Sequence, residues 1–151
     1  MSAEEPELRW YLLSTKRGNE VLANGTLRAA CAEVFLPLLY EGRGDAKPQP
    51  LFPRRVFVRV NLKSRFFNVA YTPGARDFLK AGAPIEVPES VVAELKVAAE
   101  EKRKGTKDAV GVAVSDSVLE LFNSRTPSLE RTVALMRIIE KRKALEGSWP
   151  R

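Results

Sequence analysis

The stretch that decides the fold is residues 50–60, which read PLFPRRVFVRV. From position 56 onwards every second residue is a valine, which indicates a β-strand, because successive side chains of a strand point to opposite faces of the sheet. The valine face, which we expect in a core, consists of Val56, Val58 and Val60. Phe57 lies on the other face between Arg55 and Arg59, so we expect that face to be covered too, by a helix of the same domain or by a partner.

Length and composition predict a small globular protein. The 151 residues suffice for one domain, or for a domain of about 100 residues with a small appendage. No apolar run reaches the roughly 20 residues of a membrane helix, and the acidic N-terminus lacks the basic and apolar regions of a signal peptide. The single cysteine, Cys31, cannot form an intramolecular disulfide. These features predict a cytoplasmic protein.

The charge and the lack of histidine narrow the possible functions. A net charge of +6 and a pI near 9.7 favour contact with a polyanion or an acidic protein surface. The chain contains no histidine, which removes histidine metal sites and the Ser-His-Asp and Cys-His forms of catalysis. We therefore expect no enzymatic activity, no metal and no cofactor.

The elements before the valine strand are predicted from apolar runs and turn residues. Residues 10–15 form a buried strand that ends in a basic loop. Asn19 is an N-cap candidate for a helix over residues 20–30. Residues 32–40 form a second strand, which Pro37 restricts to an edge or to a strand end.

The elements after the valine strand complete the pattern. Residues 62–70 predict a short helix, and residues 76–79 and 84–87 predict short strands. A longer helix begins at Glu89 and ends in the basic residues 100–104. Its apolar stripe consists of Val91, Val92, Leu95, Ala98 and Ala99.

This order of elements predicts an α+β fold in which a mostly antiparallel sheet is flanked by helices. We expect an N-terminal tail over residues 1–8, the α+β domain over residues 9–100, a linker over residues 101–109 and a C-terminal segment over residues 110–151.

The C-terminal segment has the local pattern of two helices. Ser115 or Asp116 can cap a short helix, and Thr126 can cap a longer one that has Pro127 at its first position. The apolar stripe of the longer helix consists of Leu129, Val133, Met136 and Ile139. Two short helices cannot build a core alone, so we expect a helical hairpin that docks elsewhere. The alternative is a small β-barrel.

Five blocks of the chain, in order and at similar spacing, resemble the N-terminal domain of the NusG/RfaH family of transcription elongation factors. The blocks are WYLLSTKRG at residues 10–18, FLP at 35–37, PLFPRRVFV at 50–58, TPG at 72–74 followed by Phe78, and VP at 87–88 followed by Val91, Val92 and Leu95. The third block is the most specific. Arg55 departs from it, since the family usually has an aromatic or apolar residue there.

The resemblance implies a transcription elongation and antitermination factor that binds RNA polymerase and suppresses pausing. The contact with the clamp helices of the β′ subunit falls on Phe52, Arg55, Phe57, Val91, Val92 and Leu95. The contact with the gate loop of the β subunit falls on Arg65, Phe66, Phe67 and Asn68. The contact with the non-template DNA strand falls on Lys16, Arg17, Arg28, Thr72 and Arg76. A solvated basic face is the alternative for Lys16, Arg17 and Arg28.

Similarity to RfaH further implies that the C-terminal hairpin masks the clamp-binding residues and refolds into a KOW β-barrel after recruitment. The packing residues are then Leu119, Phe122, Leu129, Val133, Met136 and Ile139. A permanent helical extension is the alternative. In this family the barrel contacts the ribosome or Rho. The sequence does not decide whether this chain binds either of them, or whether it is a general or an operon-specific factor. A stand-alone nucleic-acid-binding domain without a polymerase partner is the competing function.

Overall fold

The computed structural model describes residues 7–40, 47–104, 113–123 and 125–146. In chain order the elements are β1 (Arg9–Thr15), α1 (Glu20–Thr26), a 3₁₀ turn (Leu27–Ala29), β2 (Glu33–Phe35), β3 (Leu38–Leu39), β4 (Gln49–Pro50), β5 (Arg55–Val60), α2 (Leu62–Ala70), β6 (Ala75–Phe78), β7 (Lys80–Ala81), β8 (Ala83–Pro84), β9 (Glu86–Val87), α3 (Glu89–Lys104), α4 (Asp116–Glu120) and α5 (Ser128–Leu145).

The chain divides into two compact units. The sheet unit comprises Met1–Leu36 and Arg54–Val87, and the helical unit comprises Pro37–Pro53 and Pro88–Arg151. None of the helices in the described part of the chain has the length and apolar character needed to cross a membrane.

The sheet unit is built on one antiparallel sheet with the strand order β2-β5-β1-β6, in which β9 also pairs with β1. β1 and β5 pair continuously, from Arg9 opposite Val60 to Ser14 opposite Arg55. The predicted α+β class with an antiparallel sheet and flanking helices is confirmed.

The valine face of β5 lies in the core of the sheet unit, as predicted. This core also receives Leu13 from β1 and Phe78 from β6. Ala23 of α1 and Val69 of α2 pack into the same cluster, so both helices cover this face of the sheet. The helices form because burial of these side chains supplies the stability that short isolated helices lack.

The opposite face of the sheet carries an apolar row across three strands. Phe57 of β5 is paired with Leu12 of β1 on one side and with Phe35 of β2 on the other. Paired residues of an antiparallel sheet share a face, so the three side chains are neighbours. The rings of Phe35 and Phe57 are 5.7 Å apart, and the exposed fraction of Phe57 is 0%. The expectation that this face is covered is therefore correct.

A residue with left-handed backbone geometry introduces β5. Arg54 has a φ of 65°, which is costly for a side chain with a Cβ atom. Its N–H donates a hydrogen bond of 2.9 Å to the carboxylate of Glu20, and its carbonyl accepts one of 2.9 Å from the N–H of Thr15. These bonds hold the turn before β5 to α1 and to β1.

Three predicted elements before α3 differ from the observed ones. The strand predicted over residues 84–87 is divided between β8 and β9, because Ile85 belongs to neither. α1 ends at Thr26 rather than at residue 30, because Gly25 lowers helix propensity in the last turn, and Asn19 makes no side-chain cap hydrogen bond. The strand predicted over residues 32–40 is split into β2 and β3 at Pro37, since proline has no N–H for a sheet hydrogen bond.

In the helical unit, each of α3, α4 and α5 contacts the other two, and β3 pairs with β4. The helical form of the C-terminal segment is confirmed, and its described residues contain no strand of a barrel. α3 continues to Lys104, so residues 101–104 are helical rather than part of a linker. The rest of the predicted linker lies outside the described residues.

The caps of the two C-terminal helices agree closely with the sequence pattern. Ser115 is the N-cap of α4, and its hydroxyl accepts a hydrogen bond from the N–H of Val118 at 3.4 Å. α5 begins at Ser128 with Pro127 as N-cap, one position later than predicted.

Replacement of Arg54 by glycine tests the strain before β5. The left-handed conformation costs a residue with a Cβ atom about 1–2 kcal/mol, and glycine would relieve this strain. Part of the stability gained is offset by the larger entropy of glycine in the unfolded chain. We expect Arg54→Gly to raise the free energy of unfolding by about 0.5–1 kcal/mol in urea denaturation. Arg55→Gly is the control, and should lower stability because it lies inside the strand. A loss of stability in Arg54→Gly would show that the backbone at this position is not strained.

Candidate functional site

The basic loop after β1 lies against the turn between α2 and β6. The N–H of Lys16 donates to the carbonyl of Gly74 at 3.0 Å, and the hydroxyl of Thr26 donates to the carbonyl of Pro73 at 2.8 Å. Gly74 has a φ of +91°, and a Cβ atom there would lie 3.3 Å from the backbone nitrogen of Ala23. The turn therefore needs glycine to approach α1 so closely.

This approach joins the segments that carry the five residues predicted to contact DNA, which we call the basic face: Lys16, Arg17, Arg28, Thr72 and Arg76. Thr72 is half-buried, and the four basic side chains are exposed. Residues 16–29 and 71–77 contain two acidic residues: Glu20, which is buried and accepts the hydrogen bond from Arg54, and Asp77, which is exposed and forms a salt bridge of 3.5 Å with Lys80. The basic face thus carries an excess of positive charge at the surface.

The residues predicted to contact the gate loop lie on α2 and differ in exposure. Arg65 and Asn68 are exposed. Phe66 is half-buried, and its ring stacks on that of Phe78 at 5.4 Å, with the ammonium of Lys80 5.9 Å from its centroid. Phe66 therefore anchors α2 to the sheet. The side chain of Phe67 lies outside what the structure describes.

The residues predicted to contact the clamp helices are buried, with one exception. In the sheet unit Phe57 is buried; in the helical unit the buried ones are Phe52, Val91, Val92 and Leu95. Arg55 is half-buried, and its Nη1 donates to the carbonyl of Arg54 at 3.0 Å. Its Nε has no hydrogen-bond partner among the described residues. Burial and the neighbouring charge of Arg54 lower the pKa of Arg55.

A polar network on α3 holds the C-terminal helices. The carboxylate of Glu94 forms a salt bridge of 2.7 Å with the guanidinium of Arg142 on α5. It also accepts a hydrogen bond of 2.8 Å from the N–H of Ser115 at the start of α4. Ser90, one turn earlier on α3, accepts a bond of 2.9 Å from Arg142 and donates one of 2.7 Å to Glu146. One buried carboxylate therefore connects α3 with both helices.

Burial alone would raise the pKa of Glu94, but the hydrogen bonds from Ser115 and Arg142 outweigh it. The pKa of Glu94 is consequently lower than its ordinary value. The ionised form is favoured in the folded chain, which agrees with its role as an acceptor.

The second attachment of α5 lies at its other end. Arg131 is buried, and its Nη1 donates to the carbonyl of Leu51 at 3.3 Å. Leu51 belongs to the PLFP part of the sequence block that resembles the NusG/RfaH family. Arg131 and Arg142 are about three helical turns apart and so share one face of α5. That face therefore holds α5 against both segments of the helical unit.

The packing face predicted for the C-terminal helices is partly wrong. Phe122 and Ile139 are buried and Met136 is half-buried, but the following three residues are exposed: Leu119, Leu129 and Val133. The buried face of α5 instead consists of Arg131, Leu135, Ile139 and the half-buried Arg142. A search for apolar residues at helical spacing misses a buried face that begins and ends with arginine. The spacing of Arg131 and Arg142, about three helical turns, is the sequence feature that could have indicated this face.

The lone cysteine has no reactive environment. Burial raises the pKa of Cys31 to about 11, so its thiol stays protonated at neutral pH and is a poor nucleophile. The described residues contain no group of three or more histidine, cysteine or acidic side chains that could hold a metal ion.

Comparison with known proteins identifies the family. The family model described as "Transcription termination factor nusG" matches residues 8–96, which is more than half of the chain. The chain therefore belongs to the NusG family. A solved structure, "Domain interaction in Thermotoga maritima NusG", is similar with a TM-score of 0.50 and 21% identity, covering 73% of this chain and 70% of that one. At this identity the likeness concerns the fold alone. No curated protein sequence matches the chain.

Family membership assigns the chain to a class of proteins. Factors of the NusG family are non-enzymatic, bind RNA polymerase and regulate transcription elongation and antitermination. The matched residues extend from the residue before β1 into α3, so they include the basic face, α2 and the buried residues Phe52 and Phe57.

The Glu94 network predicts a specific loss of stability. Arg142→Met keeps most of the side-chain volume but leaves a buried carboxylate without the guanidinium with which it forms a salt bridge. We expect it to lower the free energy of unfolding by about 2 kcal/mol in urea denaturation at pH 7. Arg137→Met, at an exposed position of the same helix, is the matched control and should have little effect.

The pH dependence follows from the lowered pKa of Glu94. The stability that this group contributes is present above its unfolded pKa of about 4.3 and is lost as the pH falls through the lower folded value. Glu94→Gln removes this titration, so its stability should fall less steeply than that of the wild type below about pH 4. Identical slopes for the two proteins would contradict the assignment.

Proposed function

We propose that this chain binds the clamp helices of the β′ subunit of RNA polymerase and suppresses pausing. The observation that carries the proposal is the family match over residues 8–96, which includes every residue that the resemblance to NusG/RfaH assigns to the polymerase. The gate loop of the β subunit is the second contact, and the exposed residues Arg65 and Asn68 of α2 are available for it.

The proposed contact on the clamp helices uses apolar side chains and one arginine. Phe52 is an aromatic residue of the kind that is enriched in the cores of protein interfaces, and Val91 and Leu95 would add apolar area to the contact. Arg55 stands where the family usually has an aromatic or apolar residue, and its Nε lacks a partner within the described residues. We propose that an acidic residue of the polymerase pairs with it, because a half-buried guanidinium gains most from a carboxylate.

The burial of the apolar residues on α3 motivates a second proposal, namely that α4 and α5 mask part of this surface. Val91, Val92 and Leu95 lie on the helix that Glu94 attaches to α4 and α5. Phe52 follows Leu51, whose carbonyl is bound by Arg131. Release of α5 would therefore free both segments of the helical unit. An autoinhibited, RfaH-like and operon-specific factor fits this arrangement better than a constitutive one.

A buried ion pair suits such a mask. The pair costs desolvation energy that its attraction only partly returns, so it specifies where α5 docks without making docking irreversible. In addition, α5 exposes Leu129 and Val133, so part of its apolar surface stays uncovered in the docked form. Refolding of the released segment into a KOW barrel, and its contacts with the ribosome or Rho, remain predictions from the resemblance.

The basic face is proposed to contact the non-template DNA strand near the polymerase. Its four exposed cations can pair with phosphates, which would give an affinity that falls as salt rises. The proposed cellular location, the cytoplasm, follows from binding to RNA polymerase.

The proposed activity is tested by a primer-extension assay of pausing on purified polymerase. We expect the chain to shorten the lifetimes of pauses, and a variant with released helices, Arg142→Glu, to do so at lower concentration. Unchanged pause lifetimes with both proteins would refute the leading proposal. Binding of single-stranded DNA without any binding of polymerase would favour the competing function, a stand-alone nucleic-acid-binding domain.

The proposed masking by α4 and α5 is tested by the affinity of the Arg142→Glu variant for RNA polymerase. Arg142→Glu places a second carboxylate beside Glu94, so we expect α5 to undock and the affinity for polymerase to rise by about tenfold, because a larger fraction of the chain is competent to bind. Arg137→Glu makes the same charge change at an exposed position of α5 and should leave the affinity unchanged. Hydrogen–deuterium exchange reports whether α5 has undocked. Undocking without tighter binding would rule out the mask.

A further inference from the structure

We propose that the exposed face of α5 is a site of self-association, on which α5 of a second copy of this chain lies in the antiparallel direction. The inference is independent of the proposed contacts with polymerase and DNA, because it concerns a surface that those contacts do not use. That surface is a groove in the helical unit, lined by residues of both α4 and α5.

The side of the groove that α5 provides, which we call the α5 wall, consists of Glu130, Val133, Ala134 and Arg137. The groove has a volume of about 460 Å³. Glu130 and Arg137 are exposed, and Val133 has an exposed fraction of 45%. Leu129, directly before the wall, is 77% exposed. The wall therefore combines uncovered apolar surface with two charges.

The two charges of the wall have no ion-pair partner within the described part of the chain. Neither Glu130 nor Arg137 takes part in its salt bridges, which include that of Arg142 on the buried face of α5. They lie about two helical turns, or about 10.5 Å, apart on the same side of α5, which is too far for them to pair with each other. Pairing of the two charges therefore requires another molecule.

The order of the charges makes the α5 wall complementary to itself. Along the helix it presents an acid, then valine and alanine, then a base. If two copies of α5 lie antiparallel, with the twofold axis between Val133 and Ala134, Glu130 of each copy lies opposite Arg137 of the other. Two charge pairs then flank an apolar centre. A parallel pair would place like charges opposite each other, which is unfavourable.

This charge complementarity selects a second copy over an apolar partner. An apolar helix in the groove would remove Glu130 and Arg137 from water without pairing them, which costs free energy. The area of a single helix face is small, so we expect weak association with a dissociation constant above about 10 µM. At the nanomolar concentrations of a binding assay the chain is then monomeric, and substitutions of Arg137 have no effect there.

The test is sedimentation velocity of the full chain from about 1 µM to about 500 µM, where we expect the mean mass to rise from monomer towards dimer. Glu130→Arg and Arg137→Glu each place two pairs of like charges in the interface, so each should raise the dissociation constant at least about tenfold. Lys63→Glu makes the same charge change as Arg137→Glu at an exposed position of the sheet unit. This matched control should associate like the wild type.

Mixing the two charge variants separates a specific contact from a damaged fold. Glu130→Arg has a base at both ends of the wall and Arg137→Glu has an acid at both ends, so a mixed pair forms both charge contacts. We expect an equimolar mixture to associate although neither variant does so alone. The double variant Glu130→Arg/Arg137→Glu should also regain self-association, because it exchanges the two ends of each pair.

Cross-linking tests the antiparallel direction in a Cys31→Ser background, which removes the native thiol. Val133→Cys places the two introduced thiols beside the twofold axis, whereas Leu145→Cys, at another exposed position of α5, places them about 35 Å apart along the helices. A short bismaleimide should therefore link the first variant into dimers and leave the second monomeric. A parallel pair would be linked at both positions.

Association of the mixed variants, together with cross-links at position 133 alone, would establish the antiparallel pair. A wild type that stays monomeric at the highest concentration would overturn the proposal and leave the groove to a different protein partner. Association that neither charge variant weakens would show that the copies meet on another surface, and cross-links at both positions would exclude the antiparallel direction. None of these results bears on the pausing assay, which judges the polymerase contact separately.

Discussion

The antiparallel pairing of β1 with β5 is the interaction on which the sheet unit depends. It runs without interruption from Arg9 opposite Val60 to Ser14 opposite Arg55, and it places apolar side chains on both faces of the sheet. A shift of one residue would exchange the two faces, moving Phe57 into the valine core and the valines out of it. The burial of both faces therefore makes this register strongly preferred. The loops at the ends of these strands then lie at defined positions, the basic loop after β1 among them.

Charge, rather than apolar area, specifies the arrangement of the helical unit. Glu94 and Arg142 are both largely removed from water, and an unpartnered charge in either place would be costly. The N-terminus of α4 contributes a third partner through the N–H of Ser115, where a negative charge is favoured. Few other arrangements of α4 and α5 would give the Glu94 carboxylate both of these partners, so the network favours a single docked arrangement.

The cations of the basic face lie on segments that are distant in sequence. The hydrogen bonds between the loop after β1 and the turn before β6 hold these segments on one folded unit. At moderate salt the field of such cations extends over about 10 Å. The family match extends over this unit, whereas α4 and α5 lie beyond it.

The sequence alone predicted the α+β class, β5 with its two faces, α2, α3, and the helical form of the C-terminal segment. These features follow from local periodicity, caps and turn residues, which act over a few positions. The resemblance in five sequence blocks also led to the family. The apolar periodicity of α5 gave the wrong buried face, because that face is determined by packing against other elements. Leu129 and Val133 form an apolar stripe but are exposed, while Arg131 is buried.

Only the tertiary structure decided which side chains meet. It joined Glu94 to residues 21 and 48 positions further along the chain, Ser115 and Arg142, and it brought Lys16 to the turn before β6. The physical reason is that burial of a charge or exposure of an apolar side chain depends on partners distant in sequence, and one-dimensional patterns carry no information about them.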